Sequence, residues 1–166
     1  MAKPYFQIAT RLHQNELYMH LFLHQAFGAG GNRNQEFVVN LNKHIGFGVI
    51  VANDWTVTDG SASNSKIVAR AQGMHMQTGM VKHSWYTSFN LAFEDERFER
   101  STLQVAGILS DESELSITGG TGEFALARGV IKQKILMGTP GHSGHDNVLG
   151  RHMHVQQRSS SGAPNP

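Results

Sequence analysis

The chain holds ten histidines, thirteen carboxylates and fourteen lysines plus arginines in 166 residues, with no cysteine. These are the side chains whose chemistry could matter. The densest histidine group is GHSGHDNVLGRHMH (141–154), where His142 and His145 are three apart and His152 and His154 share one strand face. Imidazoles so spaced can take zinc, nickel or copper. The segment is glycine-rich, near the terminus and without an identifiable second shell. It reads as a solvated stretch, and no metal site is expected.

Four charged residues stand in otherwise apolar or small surroundings: Asp54, Arg70, Glu123 and Arg128, the last two flanking FALA. A charge buried in low dielectric must be paired or hydrogen-bonded. For Asp54 and Arg70 two readings stay open. They form an internal salt-bridge network or cap turns, or they project as acid and cation into a cavity where desolvation makes them potent. The stretch VARAQGMHMQ (68–77) carries Arg70 and Gln72 in one register and His75 and Gln77 in the other. It is one strand of a barrel or one wall of a site.

Several function classes fall away. The net charge is +1 and the longest charged run, EDERFER (94–100), is mixed in sign, so no nucleic acid is expected as partner. No apolar run approaches the roughly 20 residues of a membrane span, and no membrane association is expected. The absence of cysteine removes thiol nucleophiles and thiolate metal sites. No Gly-x-Ser-x-Gly elbow is present. The glycine turns GAGGNR and GGTGEF read as hairpin turns, because a phosphate cradle needs a helix to follow it. The N-terminal MAKPYFQIATRLHQNE lacks the apolar core of a secretory signal, so a cytoplasmic start is one expectation.

Among the elements that would carry these residues, ELYMHLFLHQ (16–25) places Leu17, Met19, Leu21 and Leu23 on one face at period two. EFVVNL, GFGVIVAN and KIVARAQGMHMQ follow, then SWYTSFNLAF (84–93), whose alternation predicts a half-buried antiparallel strand. STLQVAGIL, ELSIT, EFALARGVIKQKI and RHMHVQQ complete eight or nine strands with short turns. That pattern predicts an all-β sandwich or closed barrel. Several strands are apolar on both faces, as a barrel covered by neighbouring subunits would be. Residues 1–14 read as an N-terminal extension, 15–157 as the β domain and 158–166 as a disordered tail.

FGVIVANDW, SKIVARAQGMHM and SITGGTGEFALARG, in this order and spacing, closely resemble the plant dirigent proteins, over about 17–135. The FEDERF hairpin looks most like the cereal dirigent domains often joined to jacalin-like lectins. The resemblance implies an eight-stranded antiparallel β-barrel assembled as a homotrimer, in the apoplast. It implies a dirigent function: steering the coupling of two phenoxy radicals, such as those of coniferyl alcohol, towards one lignan enantiomer. A separate oxidase of laccase or peroxidase type removes the electron, without a stable complex, so no cofactor is expected. Coupling is fast, and about 1.4 kcal/mol between two poses already gives a tenfold preference.

The family's acid after its GTG turn matches Glu123, and its pocket arginine matches Arg128. These two, with His75, are the expected catalytic groups. His24, Gln25, Asp54, Arg70 and Gln77 are the expected pocket. The sequence departs from the pattern where His-Asp on the first strand becomes His24-Gln25, and where two tyrosines after RAQG become His75 and Gln77. Two alternatives remain: a quinone-methide cyclase or dehydratase on the same barrel, and a non-catalytic ligand-binding or defence module.

Overall fold

The structure, a computed structural model, describes residues 13–28, 33–62, 64–136 and 146–161. Nine strands follow one another: β1 (His13–Gly28), β2 (Gln35–Val39), β3 (Ile50–Thr58), β4 (Ile67–Gln77), β5 (Trp85–Phe93), β6 (Thr102–Leu109), β7 (Glu112–Thr121), β8 (Arg128–Leu136) and β9 (Asp146–Ser161). They pair antiparallel in the order β1-β9-β8-β7-β6-β5-β4-β3-β2, and a further pairing of β1 with β3 closes eight of them into a ring. The all-β, eight-stranded antiparallel barrel is thus the observed fold, with β2 as a ninth strand laid along β3.

Closure is short. Only Phe22, Leu23 and His24 of β1 meet Thr58, Val57 and Thr56 of β3. Beyond that seam Asn34, just ahead of β2, takes over. Its Oδ1 accepts from the Ala26 amide at 2.8 Å and its Nδ2 donates to the His24 carbonyl at 2.9 Å. One asparagine side chain thereby satisfies backbone groups that would otherwise face a gap in the wall.

Period-two alternation decides what is inside. Leu21 and Leu23 of β1, Trp55 and Val57 of β3, Ala69 and Ala71 of β4, Phe89 and Leu91 of β5, and their counterparts on β6 to β9 form one buried cluster. One end of the barrel is sealed by three rings: Phe93 lies 5.6 Å from Phe98 and 5.0 Å from Phe124, and Phe98 lies 5.0 Å from Phe124.

The segment EFALARG, expected as strand, is instead the plug at that end. Residues Gly122–Phe124 form a single 3-10 turn, Leu126 has φ 63°, and the strand starts only at Arg128. Burial of Phe124 and Ala127 outweighs the strand pattern there. The turn GGTG is therefore followed by one 3-10 turn, not by a helix able to cradle phosphate. GAGGNR falls largely outside the described residues, as do His142 and His145. β9 runs to Ser161, past the expected end at 157, because residues 158–161 pair with 13–16 of β1.

At the opposite end Gln77 fastens the β4–β5 turn. It is fully buried, donates through Nε2 to the Ile45 carbonyl at 2.8 Å and accepts at Oε1 from the Gly79 and Ser84 amides, each at 3.0 Å. Its Nε2 also lies 3.3 Å from Nδ1 of His83. Gln77→Ala leaves three backbone groups without their partner. Loss of about 3 kcal/mol is expected, read as a lower urea midpoint at unchanged slope.

Candidate functional site

Among the described strand residues, the buried polar side chains of the inward register gather at one end. There, Gln25 of β1, Asn53 of β3, His75 of β4, Thr87 of β5, Gln133 of β8 and Arg151 of β9 are all buried. They stand on strand ends that the antiparallel order brings to a single rim, above the apolar floor of Trp55, Phe89 and Leu91. Gly73, on the same inward register two residues before His75, allows close approach of β4 and β5. A Cβ at this position would meet the Ser88 carbonyl oxygen and Cα of Phe89.

Arg151 organises one side of the rim. It is only 7% exposed. Its Nε donates to Oε1 of Gln25 at 3.1 Å, and its Nη1 to the Ser110 carbonyl at 2.7 Å and to Oε1 of Gln133 at 2.6 Å. Gln133 is held in turn by Nε2 donation to the Ser110 carbonyl at 2.7 Å and to Oγ of Ser113 at 2.5 Å. Burial pulls the guanidinium down to about 10, with the Asp111 carboxylate opposing it. That value still leaves it charged at neutral pH.

His75 organises the other side. Its ring lies 5.2 Å from that of Trp55 at 33° and 5.1 Å from that of Trp85 at 64°. Burial, with the Arg151 charge adding to it, pushes the imidazole down to about 4. The ring is neutral at pH 7, with one donor and one acceptor nitrogen. Among the described residues, two buried side-chain atoms have no hydrogen-bond partner: Nδ1 of His75 and Oδ1 of Asn53. Asn53 spends its Nδ2 on the Ala71 carbonyl at 2.8 Å. Such groups cost about 1–3 kcal/mol each when left unpaired, and both lie at this end.

Beside the rim, a depression of about 290 Å³ is lined by Phe27, Arg33, Gln35, Glu36, Phe37 and Val51. Gln35 links it to the interior, since its Oε1 accepts from Nε1 of Trp55 at 2.8 Å. Arg33 and Glu36 pair across it at 2.7 Å.

The residues singled out from sequence divide sharply. His75, Gln25 and Gln77 face inward at the polar end, with Gln77 committed to the turn. His24 lies on the outer face at the closing seam, its Nε2 2.7 Å from Oγ1 of Thr58, and burial lowers its pKa. Asp54 and Arg70 are also on the outer face. Arg70 bridges Asp54 at 3.2 Å and Glu94 at 3.5 Å, while Gln72 donates to Asp54 at 3.2 Å. The pair forms a salt-bridge network, as the first reading had it, but on the outer wall, because the register of β3 and β4 turns both side chains away from the barrel interior.

Glu123 and Arg128 lie beside the sealed end, away from His75. Glu123 is exposed and takes both oxygens to Arg97, at 2.5 and 2.7 Å. Arg128 shares the outward register of Lys132 and Lys134 and donates to the carbonyls of Thr118 and Ala127. The GTG turn ends in the 3-10 plug, which throws both side chains outward. Glu123→Gln should therefore change stability by less than about 1 kcal/mol, as exposed pairs do, in the same urea measurement.

Arg151, Gln133, Asn53 and the two tryptophans were not singled out from sequence. Arg151 keeps phase with Met153 and Val155, and Gln133 with Ile131. A polar residue in an apolar register was the available signal.

The fold is a closed antiparallel barrel with one sealed apolar end and one polar end. The family model described as Dirigent-like protein matches residues 17–156. The chain belongs to the dirigent family. Dirigent protein 11 of Arabidopsis thaliana is 42% identical over 91 residues, 53% of this chain and 47% of that protein. Pterocarpan synthase 1 of Glycine max is 32% identical over 125 residues, 70% of this chain and 67% of that protein. The chain spans about half the length of several curated relatives it matches. The solved structure of the pterocarpan synthase dirigent protein GePTS1 superposes with a TM-score of 0.76 at 25% identity, covering 95% of this chain and 92% of that one.

Proposed function

We propose that this chain directs the stereochemistry of phenol-derived quinone methides, closing a ring at the polar end of its barrel. The observation that carries the reading is the neutral His75, held between Trp55 and Trp85 with an unpartnered Nδ1, on the rim that also carries the buried Arg151. Likeness to dirigent proteins and pterocarpan synthases supports it.

In that step a hydroxyl oxygen attacks the exocyclic carbon of the quinone methide and a C–O bond forms. The quinone oxygen takes up the electron pair and becomes phenolate-like, a charge that Arg151 stabilises. The attacking oxygen turns into an oxonium far more acidic than an imidazolium of pKa about 4, so neutral His75 suffices to receive its proton. No electron enters or leaves. Where the quinone methide arises from coupling of two phenoxy radicals, a separate oxidase of laccase or peroxidase type supplies them, and the aromatic wall selects which faces meet. Assembly as a homotrimer and an apoplastic setting belong to the same reading.

Coniferyl alcohol oxidised by a one-electron oxidant, with and without the protein, tests it by chiral chromatography. The expected result is an enantiomeric excess that grows with protein concentration. A second reading, ring closure without control of coupling, draws on the pterocarpan synthase relatives. It predicts racemic coupling here, with stereoselective closure of a preformed quinone methide.

A further inference from the structure

Arg151 is a buried cation whose hydrogen-bond partners among the described residues are all neutral: an amide oxygen of Gln25, an amide oxygen of Gln133 and the Ser110 carbonyl. Isolated charge in low dielectric is costly unless an opposite charge compensates it. The carboxylate that acts on it, Asp111, is exposed at the lip and makes no ion pair with it. The strand fixes the guanidinium instead of letting it reach solvent. Both amides hold it from the sides, and Gln133 is itself pinned by Ser110 and Ser113. The barrel therefore holds a positive charge in position without neutralising it.

The same rim carries the orphan Oδ1 of Asn53, an acceptor that needs a donor, and the orphan Nδ1 of His75. Aromatic faces of Trp55, Phe89 and Trp85 adjoin them, Trp55 and Phe89 being 5.9 Å apart. An aromatic body, a hydroxyl donor and an anionic oxygen together satisfy every one of these groups.

We propose that the interior takes aromatic ligands bearing an anionic oxygen group, a carboxylate or phenolate that pairs with Arg151, in preference to their neutral counterparts. This rests on the reading that the polar end holds the substrate, whose quinone oxygen becomes the anionic group beside Arg151 as the ring closes.

The only two tryptophans of the chain, Trp55 and Trp85, both flank His75, so selectively excited tryptophan fluorescence reports on this end. Titration of the full chain at pH 7 and low salt with ferulate and with methyl ferulate compares one ring with and without the charge. Ferulate is expected to bind at least tenfold tighter. Arg151→Met should bring the two to equal affinity, and Arg151→Lys should retain part of the preference. 4-Methoxycinnamate, which has no phenol, should match ferulate if the carboxylate is the anion. If phenolate is the anion, methyl ferulate tightens instead as pH rises towards its phenol pKa.

Equal affinity for ferulate and methyl ferulate at pH 7, with no tightening of methyl ferulate as pH rises towards its phenol pKa, overturns the proposal in the wild-type chain, whether or not the variants fold. So does a preference that survives Arg151→Met. The binding assay needs no turnover, so ring closure can fail as a function while the anion preference stands.

Discussion

Arg151→Met is expected to slow stereoselective ring closure by about 10²–10³-fold, the effect of removing one positioned stabiliser of a developing oxyanion. Arg151 is the only buried lysine or arginine among the described residues, so it is the cation that a charge growing on the quinone oxygen would meet. The same change leaves Oε1 of Gln25, Oε1 of Gln133 and the Ser110 carbonyl without their donor. Relief of the buried charge offsets part of that loss, and a net destabilisation of about 2–3 kcal/mol is expected. Arg151→Lys separates the two effects, since it keeps the charge but not the three-way fork. Single-turnover closure of a preformed quinone methide, read by chiral chromatography beside urea unfolding, gives both numbers. Full activity in a folded Arg151→Met chain would remove Arg151 from the chemistry.

Acidification should destabilise the protein through His75. The folded-state value of about 4 lies below the ordinary 6.5, so between these pH values the unfolded chain carries a proton that the folded chain does not. Stability is complete above pH 6.5 and falls as pH falls towards 4. At 1.36 kcal/mol per pH unit the loss is roughly 3 kcal/mol, a large share of the 5–15 kcal/mol of an ordinary domain. The charged group facing His75 is Arg151 from β9, and the rings packed on it, Trp55 and Trp85, carry no charge. His24, lowered by its own burial at the β1–β3 seam, adds to the loss with the same sign. His75→Phe should flatten the dependence, leaving the His24 part, in urea midpoints taken from pH 4 to 7. An unchanged slope in that variant would show that His75 titrates normally.

Much of the barrel is legible in the letters because strand alternation is a local property. SWYTSFNLAF sorts Thr87, Phe89, Leu91 and Phe93 inside and Ser88 and Asn90 outside, as the burial of β5 shows. The polar end is less legible. His75 and Gln77 are visible as an odd pair in an apolar register, yet their different fates depend on the β4–β5 turn. Gln77 is consumed there by Gly79 and Ser84, and His75 is trapped between two tryptophans from different strands. Arg151 is the harder case: its neighbours Gln25 and Gln133 are 126 and 18 residues away, joined only by register.

The outward placement of Glu123 and Arg128 could not be read from EFALARG. The helical turn at Gly122–Phe124 and the positive φ of Leu126 reset the phase of alternation before β8 begins. The same limit applies to Asp54 and Arg70. A charged residue on a strand looks alike in sequence whether its face turns to the core or to an ion pair on the outer wall.

The two ends of the barrel offer different groups for the chemistry, His75 with Arg151 at one and Glu123 with Arg128 at the other. The most direct measurement is the enantiomeric excess of the ring-closed product formed by the wild-type chain, His75→Phe and Glu123→Gln under identical conditions. Selectivity retained in Glu123→Gln and lost in a folded His75→Phe is the predicted result. Selectivity lost in Glu123→Gln and retained in His75→Phe would place the chemistry at the other end and contradict it.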